Sequence, residues 1–286
     1  AWEALADPNI RVVAQIAPAV RVAVGDHYGL TKGKSVMGKI VNALHRMGFD
    51  EVYDTSFSAD LTIMEESAEF LDRIKKGEKL PLLTSCCPAW SMLAKTQFPD
   101  LIESVSSELT PMVATARSIK KEHPNAKVVF IGPCAAKKLE ASRRTVRSDV
   151  DFVITFEELD AMFAAKGIDP NQTEGESSMH DATAAGRGYA CAGGVADAIE
   201  KCVHEYYPDV DVKIEHAEGL AECKKMLMLA KAGKMNGCMI EGMGCPGGCI
   251  AGAGTILPIP KAKQEIEKIK NCLLYTSDAA DDLIGV

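Results

Sequence analysis

The chain has 286 residues, 47% of them apolar and 25% charged, which suits one large or two-lobed globular domain and excludes disorder as the main state. Asp and Glu outnumber Lys and Arg by 40 to 32, a net charge of −8. That argues against a nucleic-acid surface, which needs a basic footprint, and no run of eighteen apolar residues predicts a membrane-spanning helix.

Trp2 to Ala6 reads as the end of a helix, with no initiator Met and no leader-like segment ahead of it, so a longer parent sequence and a reduced cytosolic setting are expected. Arg11 to Ile16 is a predicted strand, followed by Ala17-Pro18 and a helix-like segment. Val36 to Met47 shows helical apolar spacing and stops at Gly48. Glu51 to Tyr53 is a short strand. Asp60 to Lys76 is a helix whose acids fall in its early turns, as the macrodipole favours. Leu80 to Leu83 is a buried strand, and Pro88 to Gln97 a helix with Pro in its first turn. Thr110 to Lys121 is a helix, Ala126 to Ile131 and Asp151 to Thr155 are strands, and Phe156 to Ala165 is a helix. Asp169 to Arg187 is polar and rich in Gly, Ser and Thr, and reads as a long loop. Gly194 to Cys202 and Leu220 to Ala232 are helices, and Gly237 to Ile240 is a strand. Strands alternating with helices predict α/β architecture with largely parallel sheets.

Ten cysteines are many for a reduced compartment, where they act as metal ligands, catalytic groups or small hydrophobes. Cys191, Cys202, Cys223, Cys238 and Cys272 fall inside helix or strand patterns among apolar neighbours and read as core thiols. The others lie in three turns that follow strands, where α/β folds place their sites. These are Thr84-Ser85-Cys86-Cys87-Pro88-Ala89-Trp90, Gly132-Pro133-Cys134-Ala135-Ala136-Lys137-Lys138 and Glu241-Gly242-Met243-Gly244-Cys245-Pro246-Gly247-Gly248-Cys249. Their Pro and Gly residues let backbone N–H groups come close to a bulky inorganic body. The four thiols Cys87, Cys134, Cys245 and Cys249 suffice for a cubane iron–sulfur cluster or a structural zinc. Only Cys245 and Cys249 form a close pair, unlike the double knuckles of zinc ribbons, and the ferredoxin run of cysteines is absent. Such spacing suits a site assembled at the centre of a fold. Cys86 is left over beside a ligand, either packed away or a proton carrier.

These segments, TSCCPAW, GPCAAKK and EGMGCPGGC, together with VYDTSFSADLTIMEE at Val52 to Glu66, closely resemble the signatures of the iron-only (FeFe) hydrogenases, in the same order. The resemblance runs from about Val12 to about Ile256. It implies an α/β domain of two lobes, each with a mainly parallel four-stranded sheet flanked by helices, and an H-cluster in the cleft. That cofactor is a four-iron–four-sulfur cubane joined through a cysteine sulfur to a two-iron centre carrying CO, cyanide and an azadithiolate. It implies that Cys87, Cys134, Cys245 and Cys249 hold the cubane, with Cys249 as the bridging thiolate. Cys86 matches the thiol that passes protons to the bridging amine, and Glu66, Ser106 and Glu69 match the path beyond it. Glu66 and Glu69 share a helix face by spacing. Lys137 matches a lysine that hydrogen-bonds a cyanide, Pro18 lies in the segment contacting the other cyanide, and Met243 matches a methionine of the two-iron pocket.

The chain departs from the family pattern at several positions. Gly132, which the resemblance puts among the residues that contact the cofactor, stands where many members have Met, and Ala136 and Ala19 replace small polar residues. Leu109 and Met112 replace a Lys and a Gln, and Tyr189 replaces a Phe of the pocket. Altered polarity around the cluster should shift its potential and catalytic bias. The implied activity is reversible reduction of protons to H₂ with electrons from ferredoxin, in the cytoplasm of an anaerobic organism or compartment, after maturation proteins insert the two-iron centre. Three rivals are a sensory H-cluster protein, an iron–sulfur assembly relative of the nuclear prelamin A recognition factor-like group, which keeps the cubane cysteines only, and a plain iron–sulfur electron-transfer protein. Residues 1–272 read as the catalytic domain, and 273–286 as a tail that does not continue the pattern.

Overall fold

The computed structural model describes residues 1–20, 28, 35–143, 148–174, 182–256, 258–262 and 264. Its elements run α1 (Trp2–Ala6), β1 (Val12–Ile16), α2 (Ser35–Met47), β2 (Glu51–Asp54), α3 (Thr55–Lys76), β3 (Leu82–Leu83) and α4 (Pro88–Gln97). After a 3₁₀ turn at Pro99–Ser104 come α5 (Pro111–Glu122), β4 (Lys127–Ile131), α6 (Ala136–Ser142), β5 (Phe152–Ile154) and α7 (Phe156–Lys166). A second 3₁₀ turn, Pro170–Gln172, precedes α8 (Ala184–Gly188), α9 (Gly194–Tyr206), β6 (Lys213–Glu218), α10 (Leu220–Lys231) and β7 (Cys238–Met243). The expected tail over 273–286, Cys272 and the helix-like segment after Pro18 lie outside the described residues, apart from its first turn.

Two parallel sheets carry the fold. The first has order β2-β1-β4-β5, with Ile16 level with Asp54 and Ile131, and Ile131 level with Ile154. Side chains alternate across it. Val12, Ala14 and Ile16 face Ile40, Leu44, Phe156 and Phe163, while Val13, Val128 and Phe130 face Met112, Val113 and Ile119. Both faces are therefore covered by helices, as parallel sheets require. The second sheet has order β3-β7-β6. Leu83 and Ile240 pack with Trp90, Ala94 and Leu227 on one face, while Leu82 and Met239 pack with Ile63, Phe70 and Ile199 on the other. It has three strands among the described residues rather than the expected four. A lone parallel bridge from Leu83 to Val105 stands where a fourth strand would add.

Three other expectations change. Helix α3 starts at Thr55, not Asp60, because the Asp54 carboxylate accepts the Ser56 N–H at 2.8 Å and caps it. Its first turn then holds no acid, so the macrodipole argument does not apply there. The long loop expected over Asp169 to Arg187 contains a 3₁₀ turn and α8, with 175–181 outside the described residues. Strand β6 was not expected at all, since Lys213–Glu218 is polar at the sheet edge. Trp90, fully buried, lies against Gly242. A Cβ there would sit 2.0 Å from the indole, so only Gly lets β7 carry the ring on its surface. No helix among the described residues is long and apolar enough to cross a membrane.

Candidate metal centre

Every strand near the site ends toward it. β1 ends at Ile16 and leads to Ala17-Pro18-Ala19, β2 leads to Thr55, and β4 leads to Pro133-Cys134. In the second sheet, β3 leads to Cys86-Cys87, β6 to Leu220, and β7 through Met243 to the Cys245–Cys249 loop. All these residues line one cavity of about 280 Å³, at the carboxyl ends of the strands where α/β sheets bind ligands. Cys87, Cys134, Cys245 and Cys249 all face it, as do Cys86, Lys137, Met243, Pro18 and Tyr189. Gly132 does not. A Cβ on Gly132 would meet the Phe130 ring at 2.6 Å and Ala17 at 3.0 Å, so Phe130 fills that wall instead. The loop's close approach depends on Gly248, at φ 92°, where a Cβ would fall 2.4 Å from the Ala192 nitrogen.

The donor set suits a polynuclear body. Among the described residues, no three His, Cys, Asp or Glu side chains converge as they would on a single ion. The four thiols are spread around the cavity wall instead. Burial raises the Cys134, Cys245 and Cys249 thiols above their usual range, so a bound cation is what would hold them as thiolates. Backbone N–H groups are ready for sulfur. Gly244 donates to Cys87 Sγ at 3.3 Å, and the amides of Ala136 and Lys137 face Cys134. These features fit a cubane iron–sulfur cluster better than zinc. Cys223 and Cys238 are core thiols as expected, and Cys191 and Cys202 are half-buried against the core.

Lys137, 9% exposed, is held by two contacts. Its Nζ donates to Glu140 Oε2 at 2.7 Å and to the Cys86 carbonyl at 3.2 Å, which leaves one of its three donors for the cavity. Burial disfavours the ammonium, but Glu140 and the neighbouring thiols outweigh it and raise its pKa. Glu140 is itself fixed by the Thr110 hydroxyl at 2.8 Å.

Behind Cys86 stands a graded set of acids on α3. Burial pushes the Cys86 thiol well up, helped by the nearby Glu66 charge. Glu66 is 0% exposed. Its Oε1 accepts the Ser85 N–H at 3.1 Å, and its Oε2 has no hydrogen-bond partner among the described residues, which costs about 1–3 kcal/mol of desolvation. Burial pushes its carboxyl up to about 7, with the Ser85 amide and the Ser106 hydroxyl pulling the other way. One turn on, Glu69 accepts from Ser106 Oγ at 2.6 Å, Ser107 Oγ at 2.8 Å and Arg73 Nη2 at 2.7 Å. Burial would raise it, yet these bonds hold it below the ordinary carboxylate range. Arg73 also binds the carbonyls of Lys79, Glu103, Ser104 and Val105, so it fixes the 104–107 loop beside α3. Glu66, Ser106 and Glu69 are thus brought together in order, from a buried acid to a half-buried one.

Three residues of this arrangement were not singled out from sequence. Arg73 and Glu140 stand at i+4 and i+3 from Glu69 and Lys137, and that spacing alone signals a pair. Glu241, 0% exposed, accepts the N–H groups of Gly193 and Ala196 at 3.0 and 2.7 Å. It pins the start of α9 to the strand entering the Cys245 loop, and burial pushes its carboxyl up to about 7.

The chain is 36% identical to the HndD subunit of an NADP-reducing hydrogenase from Solidesulfovibrio fructosivorans, over 98% of this chain and 56% of that protein. It therefore spans little more than half the length of that relative. It is 26% identical to the cytosolic Fe-S cluster assembly factor narfl of Danio rerio, over 86% of this chain and 72% of that one. An apo variant of the FeFe-hydrogenase HydA1 from Chlamydomonas reinhardtii superposes with a TM-score of 0.76 at 28% identity, covering 93% of this chain and 87% of that one. The profile of the family described as iron only hydrogenase large subunit, C-terminal domain, matches residues 10–253, and with the parallel sheets and the thiol-lined cavity this shows that the chain belongs to that family.

Proposed function

We propose that this chain is the catalytic part of an FeFe hydrogenase, which reduces protons to H₂ or runs the reverse, with ferredoxin as electron partner. The observation that carries the reading is the path of proton-bearing groups, Cys86, Glu66, Ser106 and Glu69, ranged from the cavity wall to the half-buried Glu69. An iron–sulfur protein that only stores or passes electrons needs no such path. In this reading the H-cluster is held by Cys87, Cys134, Cys245 and Cys249, and it supplies electrons and an open iron position for H₂ chemistry. Maturation proteins insert its two-iron centre. The Cys86 thiol holds and hands on a proton at Sγ, Glu66 takes and returns it, and Ser106 and Glu69 connect Glu66 toward solvent. A Glu66 carboxyl near pH 7 is matched to that task. Lys137, with a donor left over, would hydrogen-bond a cyanide of the centre, while Pro18 and Met243 would shape its pocket. The apolar lining excludes water from the reacting atoms.

The assembly-factor relative supports a second reading, a protein carrying the cubane alone. Infrared spectroscopy of protein matured with the two-iron cofactor separates the two. CO and cyanide stretching bands with H₂ turnover are expected, and a matured protein with a cubane but no such bands would sink the hydrogenase reading.

A further inference from the structure

The cavity offers few groups able to hydrogen-bond what it holds. The side chains of Ala17, Ala19, Ala59, Met112 and Ala136 are apolar, and Lys137, with two donors tied to Glu140 and the Cys86 carbonyl, has one left for the cavity. Tyr189 stands out in this setting. It lines the same cavity and is 6% exposed, and its hydroxyl is fully buried with no hydrogen-bond partner among the described residues.

The backbone holds the ring in place. Asp60 of α3 accepts the N–H groups of Thr183 and Gly186 at 2.8 and 2.9 Å, which fastens α8 to α3. The Tyr189 N–H returns to Gly186 O, and the next residue, Ala190, accepts the Ile250 N–H at 3.2 Å. Tyr189 packs in one apolar cluster with Cys86 and Met243. A Phe ring would fill that space as well, so packing does not account for the oxygen. A buried hydroxyl is retained at a cost unless something satisfies it. A tyrosine hydroxyl carries its proton across the ordinary pH range, so it is a donor.

We infer that Tyr189 Oη donates a hydrogen bond to the body seated in the cavity, the acceptor being a cyanide or CO ligand of the two-iron centre. The contact restores polarity that Ala19, Met112 and Ala136 do not supply. It rests on the hydrogenase reading.

The test is the infrared spectrum of the matured protein and of Tyr189→Phe, each in H₂O and D₂O. A shift of at least one cyanide or CO band in Tyr189→Phe is expected, with loss of part of the band displacement on deuterium exchange. Incorporation of a ring-fluorinated tyrosine at 189 strengthens the donor and should move the same band the opposite way. Bands identical in the two proteins and in both solvents overturn the inference while leaving the hydrogenase reading intact. Unmoved bands with an altered pH profile of turnover overturn it too, because the hydroxyl then serves Glu66 Oε2, another buried oxygen without a partner among the described residues. Absence of the bands from the unmodified protein overturns the hydrogenase reading and this inference with it.

Discussion

Cys87, Cys134, Cys245 and Cys249 reach the cavity from three loops on two sheets, whereas Glu66, Glu69 and Arg73 stand on one helix, α3. The thiols depend on distant strands being brought into register, and no hydrogen-bonded side chain among the described residues positions them. The acids depend on local helical spacing and are fixed by a dense set of bonds from Ser85, Ser106, Ser107 and Arg73. A metal-holding wall needs correct separation with room for a large guest. A proton path needs short contacts and tuned pKa values. The fold meets the first need globally and the second locally, so the two should fail separately.

The largest expected effect breaks the first wall. Cys134→Ala should abolish cubane binding, read as loss of bound iron and of the iron–sulfur absorbance, while circular dichroism keeps its α/β signature. Retained iron would show that the thiols do not act as one set. Next, Cys86→Ala should keep iron and infrared bands but lose H₂ turnover by about 10²–10⁴-fold, the usual range for removing a positioned proton carrier. Unchanged turnover would break the division between the two regions. Third, Arg73→Met strips the partner from a mostly buried carboxylate and frees the 104–107 loop. A stability loss of about 4 kcal/mol is expected in denaturant unfolding, with iron content unchanged.

The smallest effect is a pH dependence. The Glu66 carboxyl rises from 4.5 to about 7 in the fold, so between those values the folded chain keeps a proton that the unfolded chain has released. Stability from this group therefore falls as pH rises from about 4.5 to 7, by up to about 3 kcal/mol, and Glu241 acts in the same direction. Glu66→Gln should flatten part of that decline in unfolding curves taken from pH 5 to pH 8. An unchanged slope would mean that Glu66 is not the raised acid.

Much of this was legible in the sequence because the relevant features are local. Apolar runs such as Val12–Ile16 announce buried parallel strands, and Cys beside Pro or Gly after a strand announces a site. What was hidden is tertiary. β6 escaped because Lys213–Glu218 is an edge strand whose polar residues meet water. The start of α3 escaped because Thr55 and Ser56 are weak helix formers, made helical by the Asp54 cap. Gly132 looked like a wall of the site, but the next-but-one residue, Phe130, turns its ring into that place. Glu241 lies in plain view beside the third motif, and only its partners at the start of α9 give it a task.

The Trp90–Gly242 contact has an optical consequence. The chain has two tryptophans. Trp2 is 42% exposed, whereas Trp90 is fully enclosed, three residues after Cys87 and stacked on the strand that leads to Cys245. An iron–sulfur chromophore in the cavity would drain the emission of the enclosed indole by energy transfer. Blue-shifted fluorescence thus becomes a built-in gauge of how many molecules have been loaded.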